Sequence, residues 1–145
     1  TGQLFPQIRQ DAERRDVNNI VFIDRWVGTD ELIAYIERAH ACLGIFGSTP
    51  KAGRVIPYKV FDALAMHKPV ITRDSAAVRE LLVHDESALL CAPEGQSLAR
   101  ALLRLRDEPD LASRLADNGY ECYRQHGSPE AVGRTLANSL EVVAA

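Results

Sequence analysis

Along this chain, short apolar runs alternate with longer stretches in which apolar residues recur every three or four positions. The short runs are Ile20-Val21-Phe22-Ile23, Ala41-Cys42-Leu43-Gly44-Ile45-Phe46, Pro69-Val70-Ile71-Thr72 and Ala88-Leu89-Leu90-Cys91. Each is continuous, the pattern of a strand covered on both faces, as in a parallel sheet. They predict strands near residues 20–24, 41–46, 69–72 and 88–91. Between them the spacing predicts helices. Leu4 to Arg15 puts Leu4, Ile8 and Ala12 on one face, with Pro6 tolerated in the first turn. Thr29 is placed to cap a helix carrying Leu32, Ile33 and Ile36. Tyr58 to Met66 carries Val60, Phe61, Leu64 and Ala65. Ser75 is placed to cap Ala76 to Leu82, and Ser97 to cap Leu98 to Leu105. Pro109 opens a helix to about Arg124. Ser128-Pro129-Glu130 starts another, with proline at the first helical position and an acid near the positive dipole end.

The order α-β-α-β-α-β-α-β-α-α-α implies βαβ units, a parallel sheet and helices on both of its faces. The expected class is α/β, a Rossmann-like doubly wound domain over residues 1–145, with no linker or internal repeat. The chain enters a helix before any strand, whereas doubly wound domains usually start with a strand and a glycine turn. The first strands are therefore expected to be missing or supplied by another chain. That leaves a sheet edge open to self-association.

Composition narrows the function classes. Apolar residues make up 46% and charged residues 26%, enough for a packed core in a globular domain. Seventeen basic and twenty acidic residues give a net charge of −3. That excludes the broad basic face of a nucleic-acid binder and leaves room for a small anion site. The densest basic cluster, Arg100, Arg104 and Arg106, has helical spacing and reads as a solvated face. The three cysteines are far apart, so neither a disulfide framework nor a metal site is expected, and Cys42 and Cys91 read as buried thiols. No signal peptide or bilayer-spanning apolar stretch is seen, and the expected location is the cytoplasm.

In open α/β sheets, ligands sit at the carboxyl ends of the strands. Three loops there carry candidate chemistry: Arg25-Trp26-Val27-Gly28, the segment from Gly47-Ser48 to Val55-Ile56, and Arg73-Asp74-Ser75. The second holds Gly47, Gly53, Lys51 and Arg54 and leads into a helix at Pro57. Amides at a helix start with flanking cations suit a phosphate. Pro57 has no N–H, so the donors are Val55, Ile56, Tyr58 or Lys59. A plain surface loop with solvated cations fits the same pattern. On the next helix Tyr58, Lys59 and Asp62 share a face. A carboxylate only accepts hydrogen bonds and can grip a vicinal diol such as a ribose. A surface Lys59–Asp62 pair is the alternative. Trp26 suits either base stacking or packing. His40, His67, His84 and His126 join no catalytic set, and no Ser/His/Asp order, Walker loop or zinc spacing appears.

The stretch Ile56-Pro57-Tyr58-Lys59-Val60-Phe61-Asp62-Ala63-Leu64-Ala65-Met66-His67-Lys68-Pro69-Val70-Ile71 resembles the signature of retaining GT-B glycosyltransferases of the large family four, also called group 1. That signature reads roughly P-x-K-x-x-E-A-L-A-x-G-K-P-V-I. Ala77 to Leu82, Glu86 to Leu90, Pro93-Glu94-Gly95, Leu98 to Leu102 and Asn118-Gly119 continue the resemblance. It implies the C-terminal domain, which binds a nucleotide diphosphate-sugar donor. By the same resemblance Thr1-Gly2 matches the glycine turn after the domain's second strand. The first strand, first helix and second strand, and the N-terminal acceptor-binding domain, are then absent. In the family the absent strands often carry an Arg and a Lys that hold the diphosphate.

The resemblance places Asp62 on the donor ribose. It gives the diphosphate to the amides from Gly53 through Val55 and Ile56 to Tyr58 and Lys59, with Lys59 or Arg54 as cation and Ser48 in the same loop. It gives the base to Arg25, Trp26 and Val27. No bound metal or other cofactor is expected, and no catalytic residue is assigned. Arg54 stands where the family usually has a sugar-contacting Glu, and His67 where it usually has Gly. The acceptor is unspecified; through the missing domain the enzyme is expected to reach the inner face of the membrane. Two other readings remain: a nucleotide-sugar epimerase of the same architecture, and a non-catalytic nucleotide- or partner-binding domain.

Overall fold

A computed structural model describes residues 4–144. They fall into two compact units, one reaching Ala34 and one starting at Tyr35. In the first, helix α1 (Phe5–Arg14) admits Pro6 in its opening turn and buries Ala12. Phe5 meets Phe22 edge to face, with ring centroids 5.8 Å apart. Helix α2 (Thr29–Arg38) contributes residues to both units. It begins with Thr29 as its first helical residue, since Leu32 N–H donates to the Gly28 carbonyl at 2.9 Å. The cap is therefore Gly28 and not Thr29.

The expected strand at 20–24 does not form. No ladder hydrogen bond joins this run to another strand among the described residues. Val21 is 86% exposed. A strand exists only through its neighbour, and an apolar run without a ladder stays irregular.

The second unit holds a three-stranded parallel sheet in the order β1 (Cys42–Leu43), β2 (Val70–Arg73), β3 (Leu89–Cys91). Cys42 faces Val70, and Ile71, Thr72 and Arg73 face Leu89, Leu90 and Cys91. Side chains alternate across a strand, and the core divides accordingly. Val70 and Leu90 pack with Val60, Ala63 and Leu64 of α3 (Tyr58–Ala65) and with Val78 of α4 (Ala76–Arg79). Ile71 and Leu89 pack with Ala101 and Leu105 of α5 (Gly95–Asp107) and with Leu111 and Leu115 of α6 (Pro109–Cys122). Each such buried Leu, Ile or Val contributes about 1.5–3 kcal/mol of transfer free energy. The strands advance in one direction across the sheet, so right-handed crossovers put α3 and α4 on one face. The α/β layering is as expected, with three strands where four were predicted.

Sequence signals set most helix ends. Ser75 Oγ accepts from Val78 N–H at 3.3 Å, capping α4, which ends at Arg79, short of Leu82. Ser128 Oγ accepts from Ala131 N–H at 3.2 Å, capping α7 (Pro129–Ala144). Between α6 and α7 the chain makes one wide turn over Tyr123–Gly127. Ser97 does not cap α5: the helix starts at Gly95 with Glu94 in the cap position, and the Ser97 hydroxyl instead accepts from Arg100. The expected glycine turn at Thr1-Gly2 lies outside the described residues. No described helix is long and apolar enough to cross a membrane.

His67 adopts φ 52°, the left-handed conformation expected where the related signature has glycine. Its ring stacks on Tyr120 of α6 at 3.7 Å between centroids. Cys42 and Cys91 are half-buried, and desolvation raises both thiols above their ordinary value.

Candidate functional site

The site begins where β1 runs past its formal end. Gly44 N–H donates to the Ile71 carbonyl at 2.8 Å, and Arg73 N–H donates to the Ile45 carbonyl at 3.1 Å. Ile45 N–H donates to the buried Thr72 hydroxyl at 3.3 Å. This approach requires glycine at position 44, because a Cβ there would lie 2.3 Å from Thr72 Oγ1.

The loop Gly47–Ile56 then folds on itself. Thr49 Oγ1 accepts from Ala52 N–H at 3.3 Å, the Thr49 carbonyl from Gly53 at 3.3 Å, and the Lys51 carbonyl from Arg54 at 3.1 Å. These bonds close a short 3₁₀ turn, Ala52–Arg54, whose Ala52 is buried. Val55 is extended and Pro57 occupies the cap position of α3. Proline offers no side-chain acceptor to the first amides of that helix. Val60 N–H reaches the Pro57 carbonyl at 2.9 Å. Among the described residues, the amides of Val55, Ile56, Tyr58 and Lys59 meet no acceptor. Unsatisfied first-turn donors of this kind are ordinary at a helix start and point at whatever lies in front of it.

Helix α3 buries Val60, Ala63 and Leu64 and leaves Tyr58, Lys59 and Asp62 on the solvent side. Tyr58 is 88% exposed. The alternative Lys59–Asp62 pair is not formed: neither has an ion-pair partner among the described residues. Lys51 and Arg54 are likewise without a carboxylate there. Desolvation by the packed atoms around it lowers the Lys59 ammonium below its ordinary value. Local structure thus brings Gly53, Arg54, Val55, Ile56, Tyr58, Lys59 and Asp62 together on one continuous segment, with Ser48 exposed earlier in the same loop.

Arg25, Trp26 and Val27 belong to the first unit. Arg25 Nη1 donates to Glu31 Oε2 at 2.7 Å, and a second, shorter contact makes the pair bidentate. Arg25 is therefore engaged with a carboxylate. Trp26 is 91% exposed and Val27 half-buried.

At the ends of β2 and β3, Asp74 N–H donates to the Cys91 carbonyl at 2.9 Å. Arg79 grips both oxygens of Asp74 at 2.6 Å. These hydrogen bonds hold the Asp74 carboxyl below the usual carboxylate range. Arg73, of the third candidate loop, was given no role by the sequence. Its guanidinium donates to the Gly47 carbonyl, across 26 positions of chain. A cation at the end of a predicted strand was the only signal, and which loop it meets is a matter of sheet order.

With this geometry in place, solved structures supply the class. The fold is that of a GT-B glycosyltransferase domain. Sucrose-phosphate synthase from Thermosynechococcus elongatus matches with a TM-score of 0.81 at 20% identity, over 98% of this chain and 35% of that one. Anabaena Alr3699/HepE, solved with UDP and glucose, matches at 0.79 and 16% identity, over 95% and 36%. The C-terminal domain of the glycosyl transferase group 1 family protein LpcC from Francisella tularensis matches at 0.69 and 19% identity, over 87% and 63%. This chain thus spans about a third of the first two. A search among curated proteins finds no match. Residues 9–138 match the family described as "Glycosyl transferase-like", and the chain belongs to that family.

Proposed function

We propose that this chain is the donor-binding part of a retaining glycosyltransferase and takes a nucleotide diphosphate-sugar. One observation carries the reading. On a chain of this family, a loop with two unpaired cations, Lys51 and Arg54, and unmet amides leads directly into a helix that exposes an unpaired cation, Lys59, and an unpaired carboxylate, Asp62. The diphosphate meets the Gly53–Lys59 segment with Arg54 and Lys59. Asp62 accepts from the ribose hydroxyls. Charge-assisted contacts of this kind stabilise the negative charge that grows on a departing diphosphate. HepE, a structural relative, has been solved with UDP and with UDP-glucose. The acceptor is held outside these residues. Transfer depends on holding donor and acceptor together, so the chain alone binds donor without turning it over.

The test is calorimetric titration of the chain with UDP, ADP and GDP. One of them binds, and Asp62→Ala weakens it by about 1.5–3 kcal/mol, the scale of a hydrogen bond to a charged group. No binding of any diphosphate removes the reading; binding that is indifferent to Asp62→Ala moves the ribose elsewhere. In the complete enzyme, retention of the donor's anomeric configuration in the product tests the retaining mechanism.

A further inference from the structure

The loop that carries the proposed diphosphate contacts is tethered from below by a residue outside it. Arg73 ends β2, beside Cys91 of β3. Its neighbour Asp74 is already held by Arg79, and among the described residues no carboxylate pairs with Arg73. The Arg73 guanidinium instead donates to the Gly47 carbonyl. Its Nη2 lies 3.9 Å from the Cβ position of Gly53, and apart from the glycine's chain neighbours no other atom comes within 4 Å of that position. Gly47, early in the loop, and Gly53, inside its 3₁₀ turn, are thus both against one guanidinium. The loop closes tightly above it, since the Cβ position of Gly47 is 3.3 Å from the Ala52 methyl.

Three consequences follow from elementary electrostatics. A carbonyl tied to a guanidinium no longer turns its negative end toward an incoming phosphate. A full positive charge, not neutralised by a neighbour, sits against the loop. The planar fork fixes direction as well as distance, which an ammonium does not. We propose that Arg73 is a positioning residue for the donor diphosphate. It holds the Gly47–Arg54 turn so that the amides and cations following it face the anion, without touching the ligand itself. This rests on the donor-binding reading above.

Arg73→Met and Arg73→Lys in the full chain test it in two ways. Without ligand, amide exchange of Ala52, Gly53 and Arg54 reports the turn, and exchange of Leu82 and Leu90 reports the fold around the sheet. Arg73→Met speeds the three turn amides about tenfold or more and leaves the two references unchanged, the pattern of a local opening. UDP, ADP and GDP are then titrated, each against its own nucleoside. Arg73→Met weakens the binding diphosphate about tenfold, because binding must then order the released turn, and leaves the nucleoside unchanged. Arg73→Lys keeps the charge and recovers part of the affinity. Turn amides exchanging at the wild-type rate overturn the proposal. So does equal weakening of diphosphate and nucleoside, which marks a general structural role. A wild-type chain that binds no diphosphate sinks the donor reading, and the positioning role with it. A wild type that binds, with Arg73→Met binding as tightly, sinks the Arg73 assignment alone.

Discussion

The cations of this protein live in two different circumstances. Several of them, on or beside the helices, are tied to carboxylates. Arg79 holds Asp74, Arg104 holds Asp85 and Glu108, Arg106 holds Asp107, and Arg124 holds Glu121. Around the turn after β1, Lys51, Arg54 and Lys59 have no such partner among the described residues. Both groups are cations at the protein surface. What separates them is availability. An arginine paired bidentately has spent its donors and much of its field on a neighbour. An unpaired one keeps both for a ligand. Exposed pairs add little to stability, so leaving these three cations unpaired costs the fold little, and their nearness in the chain gathers positive charge at one place on a chain whose net charge is negative.

The contrast is broken most forcefully by reversing the free cations. Arg54→Glu combined with Lys59→Glu is expected to weaken diphosphate binding by about 3 kcal/mol or more, two charge-assisted contacts at once. Titration of UDP, ADP and GDP measures it. The same reversal at Arg106 leaves affinity unchanged, and equal losses at both places would erase the distinction.

A smaller effect is expected on the paired side. Asp85→Asn removes the carboxylate from Arg104 while keeping a side chain that tolerates the φ of 63° at this position. Both partners are more than a third exposed. The loss in a urea melt should therefore be about 0.2–1 kcal/mol, the range of surface pairs. Diphosphate affinity should not change. A tightening on release of Arg104 would mean that it, too, reaches the ligand.

The smallest effect sharpens the paired side further. Hydrogen bonds from Arg124, then Gln125, lower the Glu121 carboxyl from its ordinary 4.5 to about 2. Because the folded value is depressed, its contribution is complete above pH 4.5 and fades as pH falls toward 2. An NMR titration should place the Glu121 midpoint near 2 in the parent chain and move it back up in Arg124→Ala. An unshifted midpoint in the parent would mean that this pair does not persist in solution.

How far the site could be read from sequence varies by residue. The run Tyr58-Lys59-Val60-Phe61-Asp62 fixes its own two faces, because helical periodicity sends Val60 and Leu64 inward and Lys59 and Asp62 outward. Arg54 and the amides before Pro57 are near them in the chain and stay near them in space. Arg73 was invisible as a partner of Gly47, since only the parallel pairing of β1 and β2 brings them together. The resemblance assigns Arg25 to the donor base, and its pairing with Glu31 in its own segment was not legible in the sequence.

The sequence by itself determined the local features. These include the proline openings of α1, α6 and α7, the serine caps of α4 and α7, and the left-handed His67. Each depends on interactions within a few residues, where chain connectivity does the bringing together. Tertiary structure alone decided the rest. Ile20 to Ile23 has the composition of a strand and is none, because a ladder needs a neighbour that composition cannot provide. Gly44 matters because Thr72 lies against it. Which cations are free depends on which carboxylates the folded chain sets within reach, and that distance is not written in the order of residues.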